Sequence, residues 1–219
     1  MSGAMLVDPR RGLLVSGSLV TAAAVLTALV AVPATRPAVQ VVDDAVWRWA
    51  GDVQNAPSTA LAEVLAVLGS VYVTWPLRAA ALLLIAWRRH WLRLTAFALA
   101  VVTSELFIGP LKDAVDRPRP PGALIGTTAE SFPSGHAVAG AVTALGLVLV
   151  LAAPGPSRWR WEVRAAVFGA VMAMSRVYLR AHWLSDTVAG ALLGAGLALG
   201  FPALLMAVRA QIRPLPPVR

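Results

Sequence analysis

Three short clusters hold the residues able to do chemistry: Lys112 with Arg119-Pro120, Pro133-Ser134-Gly135-His136, and Ser175-Arg176 with His182 and Asp186. Ser134 is a good helix N-cap where a polar loop meets an apolar run. The N–H groups of Gly135 and His136 would then lie in an open first turn, where unpaired donors and the positive helix end favour an anion. His136 adds a group that gives or takes a proton near neutral pH, which anion binding alone does not require. Lys112, Arg119 and Arg176 offer three cations, and guanidinium forks suit the oxygens of a phosphate. His182 and Asp186 are four apart, so a helix extending back through His182 would put them on one face. Asp186 could then fix the imidazole tautomer and support the cation formed when the ring attacks phosphorus. Taken singly, each residue has an ordinary explanation: a helix start, a headgroup arginine, a structural histidine. Taken together, they describe phosphoryl transfer. For Arg117, Arg180 and Glu130 the ordinary explanation stands.

The elements that must position these clusters are membrane helices. The 219-residue chain is 58% hydrophobic and 14% charged, too apolar for a soluble domain, and its uncharged runs match the ~20 helical residues that cross a hydrocarbon core. The expectation is one all-α, polytopic membrane domain over residues 1–219 with six transmembrane helices, at about 13–32, 64–87, 94–111, 137–153, 163–179 and 187–208. The first is read as an uncleaved anchor, since its apolar run exceeds a signal-peptide core and further spans follow. Gly190 with Gly194 and Gly196 with Gly200 have the small-xxx-small spacing that lets helices approach closely. With zero cysteines there is no disulfide framework or thiolate metal site. A net charge of +8 could suggest nucleic acid, but the arginines flank apolar runs, so no nucleic-acid partner is expected. All but one of the 19 basic residues are arginine, the exception being Lys112.

Orientation follows from the same arginines. Arg10, Arg11, Arg88, Arg89, Arg93, Arg158, Arg160, Arg164, Arg209, Arg213 and Arg219 fall on one side of a six-span layout and seven basic residues on the other. The richer side is expected to be cytoplasmic, with both termini inside and the clusters at Lys112, His136 and His182 facing outward from the cell membrane. Arg78 and Glu105 reach similar depths in the second and third spans, so they are expected to pair inside the bundle. Between the first two spans, Val42, Val46, Trp49 and Val53 share one helical face and Asp44, Arg48 and Asp52 another. That pattern predicts an amphipathic helix over about 39–53 at the outer surface, with Trp47 and Trp49 at headgroup level and a possible role in gating lipid entry.

Lys112-x6-Arg119-Pro120, Pro133-Ser134-Gly135-His136 and Ser175-Arg176-x5-His182-x3-Asp186 together resemble the three-part signature of the type 2 phosphatidic acid phosphatase (PAP2) family, whose soluble relatives include vanadium haloperoxidases. The six-span layout is also similar to the family's membrane members. The resemblance implies a PAP2/haloperoxidase-like helical core and a membrane lipid phosphatase. It implies that His182 is the nucleophile of a phosphohistidine intermediate, that Asp186 orients it, and that His136 protonates the leaving oxygen. Lys112, Arg119, Ser134, the Gly135 amide and Arg176 would hold the phosphate, with no metal and no cofactor. Consistent with that, the three histidines include His90 on the inner side, and no acidic cluster suggests a metal site. The expected partners are a lipid phosphate or diphosphate and membrane lipids. Polyprenyl diphosphate such as undecaprenyl diphosphate is favoured by family analogy, with phosphatidic acid and phosphatidylglycerol phosphate as alternatives. A lipid phosphotransferase is a second reading, and a lipid or ion transporter using Arg78 and Glu105 is a third.

Overall fold

The computed structural model describes residues 7–127 and 130–212, and among them it contains eight α-helices and no strand. In order these are α1 (Pro9–Ala31), α2 (Arg36–Asp52), α3 (Ala56–Leu68), α4 (Val71–Trp87), α5 (Trp91–Val115), α6 (Gly135–Leu151), α7 (Arg158–Tyr178) and α8 (Leu184–Ile212). Local chemistry sets several ends. The Asp8 carboxylate accepts from Arg11 N at 2.8 Å with Pro9 as the first helical residue, and Asn55 accepts from Ser58 N at 3.0 Å ahead of α3. Each satisfies an orphan donor of a first turn. Asp116 takes a left-handed backbone at φ 43° to end α5.

Seven helices, α1 and α3 to α8, overlie the stretches expected as six spans, with one correction. The run expected to be continuous over 64–87 is broken at Gly69–Ser70 into α3 and α4, which bend by 47°. Ser70 is extended and starts α4. A Cβ at Gly69 would come within 2.8 Å of His136 Cδ2 and of Met172 Sδ, so the bend sits where α3 presses on the site. Among the described residues, α1, α5 and α8 are long and apolar enough to cross a membrane, and the bent α3–α4 pair makes a fourth. By composition alone α6 is short, at 17 residues, and α7 is rich in charge. The multi-pass membrane character is plain from the outside of the bundle, where Leu14 is 73% and Leu83 72% exposed, an arrangement that asks for lipid rather than water.

α8 is the central post. Gly190 and Gly194 bring it against the backbone of α6, and Gly196 and Gly200 bring it against α1 at Ser16 and Val20. A Cβ at Gly194 would meet the Val138 carbonyl oxygen at 2.5 Å. The expected close approach is therefore present, on two faces of one helix. A core of Ala100, Val142, Leu145, Leu149 and Ala198 joins α5, α6 and α8. Arg78 of α4 donates to Glu105 of α5 at 2.7 Å and to Thr143 of α6 at 2.7 Å, so the expected pair exists and reaches a third helix.

α2 forms as expected but faces differently. Val42 and Trp49 are half exposed, at 54% and 50%, while the buried face carries Asp43 and Ala50. Trp47, expected at headgroup level, is partly buried against the α5–α6 loop. Its Nε1 donates to the Pro121 carbonyl at 3.1 Å, and its ring lies 4.3 Å from the Arg180 guanidinium carbon.

Candidate active site

The C-terminal ends of α5 and α7 and the N-terminal ends of α6 and α8 meet at one end of the bundle, and all three sequence clusters lie there. Short bonds stitch the ends together. Ser134 N donates to the Asp186 carbonyl at 3.0 Å, Leu124 N to the Leu179 carbonyl at 3.0 Å, and Arg119 Nη1 to the Ala181 carbonyl at 2.7 Å. The peptide bond between Phe132 and Pro133 is cis.

His182 precedes α8 by two residues, so it and Asp186 do not share a helical face as expected. The loop brings them together instead. Ala181 N and His182 N both donate to the Arg176 carbonyl, at 3.0 and 3.3 Å, which folds the loop back over the end of α7. Asp186 reaches back to accept from Trp183 N at 2.9 Å, as a carboxylate in a first turn does. Its Oδ2 lies 3.5 Å from His182 Nδ1, longer than a hydrogen bond. On the other side of the ring, Arg119 Nη1 is 3.1 Å from Nε2. A guanidinium can only donate, so Nε2 carries the lone pair and Nδ1 the proton that faces Asp186. Burial pushes the His182 pKa down to about 4, helped by the Arg119 and Arg176 charges and opposed by Asp186. The ring is therefore neutral at neutral pH, the state in which a nitrogen can attack.

Around that nitrogen stand donors with little else to hold. Arg176 is 4% exposed, and its Nε and Nη1 have no protein partner; the buried Ser134 hydroxyl has none either. Buried polar groups are normally paired, and a cluster of unpaired donors at the start of a helix is what an anion satisfies. Lys112 Nζ donates to the Glu130 carbonyl, as does Arg119 Nη2 at 3.3 Å.

His136 sits in the first turn of α6, yet its Nε2 is 3.0 Å from the Ala66 carbonyl of α3, so the proton is on Nε2 and Nδ1 is the nitrogen left to the site. All eight expected residues are thus gathered at one end, with His136 held from a different side. Two contributors were not legible in the sequence. Gly69 and Ala66 seat His136, and nothing in an apolar run marks them.

Arg117 corrects the reading as an outer surface contact, because it is 2% exposed. Its Nη1 donates to Asp186 Oδ1 at 2.7 Å and Ser185 Oγ at 2.6 Å, and its Nη2 to Asp43 Oδ2 at 2.7 Å and Gln40 Oε1 at 2.6 Å. The Arg117-Pro118-Arg119-Pro120 repeat gave no sign of this, since residues two apart in extended chain face the same way, whereas here the two guanidiniums part. Ser131 also donates to Asp186 Oδ2. Among the described residues no three His, Cys, Asp or Glu side chains gather as a metal site would need.

The family model described as the PAP2 superfamily matches residues 93–209. None of the curated proteins matches the chain in sequence. Among solved structures, the fold is similar to the first transmembrane PAP2 type phosphatidylglycerolphosphate phosphatase from Bacillus subtilis. The TM-score is 0.73 and the identity 26%, over 90% of this chain and 97% of that one. It also resembles LpxE of Aquifex aeolicus in fold, with a TM-score of 0.57 and 21% identity over 69% of this chain and 89% of that one.

Proposed function

The chain belongs to the PAP2 superfamily, and on that premise we propose that it hydrolyses a lipid phosphate through a phosphohistidine at His182. Family and neighbours together make it a phosphoric ester hydrolase of the membrane. The observation that carries the residue roles is the buried, neutral His182 ring with unpartnered Arg176 and Ser134 donors around it.

In the proposed reaction the substrate phosphate takes the donors of Arg176, Ser134, Lys112, Arg119 and the Gly135 amide, and Arg119 turns from Nε2 to a phosphate oxygen. His182 Nε2 attacks phosphorus and the bond to the lipid oxygen breaks, while His136, which takes up a proton on Nδ1 as the phosphate anion binds and so enters the step as the cation, hands that proton to the leaving oxygen. Asp186 faces the ring cation that results. Water then attacks the phosphohistidine, its proton passes to His136, and inorganic phosphate leaves with His182 restored. Phosphoryl transfer asks chiefly for charge neutralisation and in-line placement, which the three cations supply without a metal.

The site's end is assigned to the outer face, and six crossings by a single domain over the whole chain are assigned with it. In support, Arg10 and Arg11 begin α1, Arg88, Arg89 and Arg93 join α4 to α5, Arg158, Arg160 and Arg164 begin α7, and Arg209 ends α8. All lie at the end away from the site. Arg213 and Arg219, counted with them, lie outside the described residues. For the lipid, phosphatidylglycerol phosphate comes first because the Bacillus subtilis structure bears that activity in its name. The favoured reading from sequence, polyprenyl diphosphate, rests on no residue of the site.

The test is phosphate release by purified protein in detergent with EDTA, for wild type and His182→Ala, on phosphatidylglycerol phosphate, polyprenyl diphosphate and phosphatidic acid. Release by wild type with a loss of about a thousandfold or more in the variant is expected, as for removal of a nucleophile. Activity surviving in His182→Ala would sink the covalent route. Loss in EDTA restored by magnesium would sink the metal-free one.

A further inference from the structure

Behind His182 lies a row of three buried charges. Asp43 of α2 is 1% exposed, Arg117 of the α5–α6 loop 2%, and Asp186 of α8 0%. They stand in line, with Arg117 bonded at 2.7 Å to a carboxylate on each side. Ser185 locks the row. Its N–H donates to Asp43 Oδ1 at 2.9 Å, and its hydroxyl lies 2.6 Å from both Asp43 Oδ2 and Arg117 Nη1. The row's other hydrogen-bond partners are neutral, Gln40 on Arg117 and Ser131 and Trp183 N on Asp186, while the Lys112 and Arg119 charges act on Asp186 from the site and Asp44 holds Gln40 from its far side.

Two carboxylates and one guanidinium sum to one negative charge. In the proposed reaction His182 passes from neutral to cationic, and that single negative charge is what it meets. Arg117 alone behind Asp186 would cancel the carboxylate. Asp43 restores it by neutralising the guanidinium from the far side. We propose that Asp43 and Arg117 are positioning residues that set the charge of the carboxylate behind the nucleophile, so that α2, outside the three signature clusters, is a working part of the site. The inference rests on the phosphohistidine reading above.

The charge count makes a prediction that packing does not. Asp43→Asn leaves the row neutral, so the ring cation is unsupported. Arg117→Gln leaves two buried carboxylates without their cation, so one takes up a proton and Asp186 loses its hold on the tautomer. Each is expected to lower kcat about tenfold or more, with KM within about threefold, since the phosphate-holding groups are untouched. The double variant Asp43→Asn/Arg117→Gln returns the row to one negative charge, with Asp186 still held by Ser131 and Trp183 N. Its kcat is expected to exceed both single variants by about tenfold. Asp52→Asn removes an equal charge from the exposed C-terminal end of α2, outside the row, and should leave kcat at the wild-type level.

Purified proteins in detergent are compared on the same lipid, with size exclusion and thermal unfolding run alongside. A double variant that is folded and faster than both singles supports the inference, and so does one that folds when a single variant does not. A double variant no faster than the slower single, inactive or unfolded, overturns it. The His182→Ala assay separates the two readings. If that variant loses phosphate release and the double shows no rescue, only the charge inference falls. If His182→Ala keeps activity, the phosphohistidine reading falls and takes this one with it.

Discussion

A buried imidazole resists protonation, and at His182 the two guanidinium neighbours add to that resistance while Asp186 works against it. The folded pKa of about 4 lies below the ordinary 6.5, so between those values the unfolded chain binds the proton more readily than the folded one. The stability contributed by the neutral ring is full above about pH 6.5 and is lost as pH falls toward about 4. The thermal midpoint of the wild type should therefore drop across that window, and the drop should be smaller in His182→Asn. Histidine-labelled NMR should also find the His182 ring still neutral near pH 5; a His182 that titrates at its ordinary value would contradict the burial argument. At this scale the sequence marked the residues whose type is chemically unusual for their setting, such as the lysine among arginines. It left Arg117 and Asp43 unread because a charge's neighbours across 74 positions cannot be deduced from spacing along one helix.

The helices show the complementary pattern. Long apolar runs bounded by arginines marked where helices would form, because burial in lipid demands length and hydropathy over whole turns. The break at Gly69–Ser70 escaped notice because neither residue is unusual in a membrane run, and the His136 ring and Met172 that press on it come from α6 and α7. The Arg78–Glu105 pair was legible from depth alone, and its environment now gives the energetics a direction. Arg78 is 1% exposed and Glu105 32%. Glu105→Leu strands a buried guanidinium and should cost about 3 kcal/mol, whereas Arg78→Leu leaves a carboxylate able to protonate and should cost less. In thermal or chemical unfolding the double variant should be more stable than Glu105→Leu alone. A double no better than the worse single would mean the two side chains do not stabilise each other. α2 lies between these cases: its helix was legible from the pattern of Val42, Val46 and Trp49, but its inward face was not, because Asp43 reads as solvated until Arg117 is seen beneath it.

For the molecule as a whole, the end bearing the site and the end bearing most of the arginines are opposite, and that makes orientation measurable. The chain has no cysteine, so a single one placed at an exposed position reports its side of the membrane without background. In right-side-out vesicles, Gly126→Cys on the site's loop should react with an impermeant maleimide, and His90→Cys between α4 and α5 should react only after permeabilisation. The reverse pattern would turn the enzyme over and place phosphate release in the cytoplasm. The multi-pass class was readable from composition, because lipid constrains every exposed side chain. The substrate was not, because tail recognition depends on the shape between helices rather than on any signature residue.

The region matching the family model begins at residue 93, whereas Asp43 and the Ala66 and Gly69 seat of His136 come from α2 and α3, ahead of it. The proposed site thus draws on two parts of the chain: the assigned nucleophile, proton donor and phosphate cradle from the later helices, and the setting of both histidines from the earlier ones. A chimera that joined residues 93–209 to the first four helices of a relative would carry every signature residue intact. It would still work only as well as the borrowed front end happened to supply a carboxylate at the Asp43 position and a bend against His136.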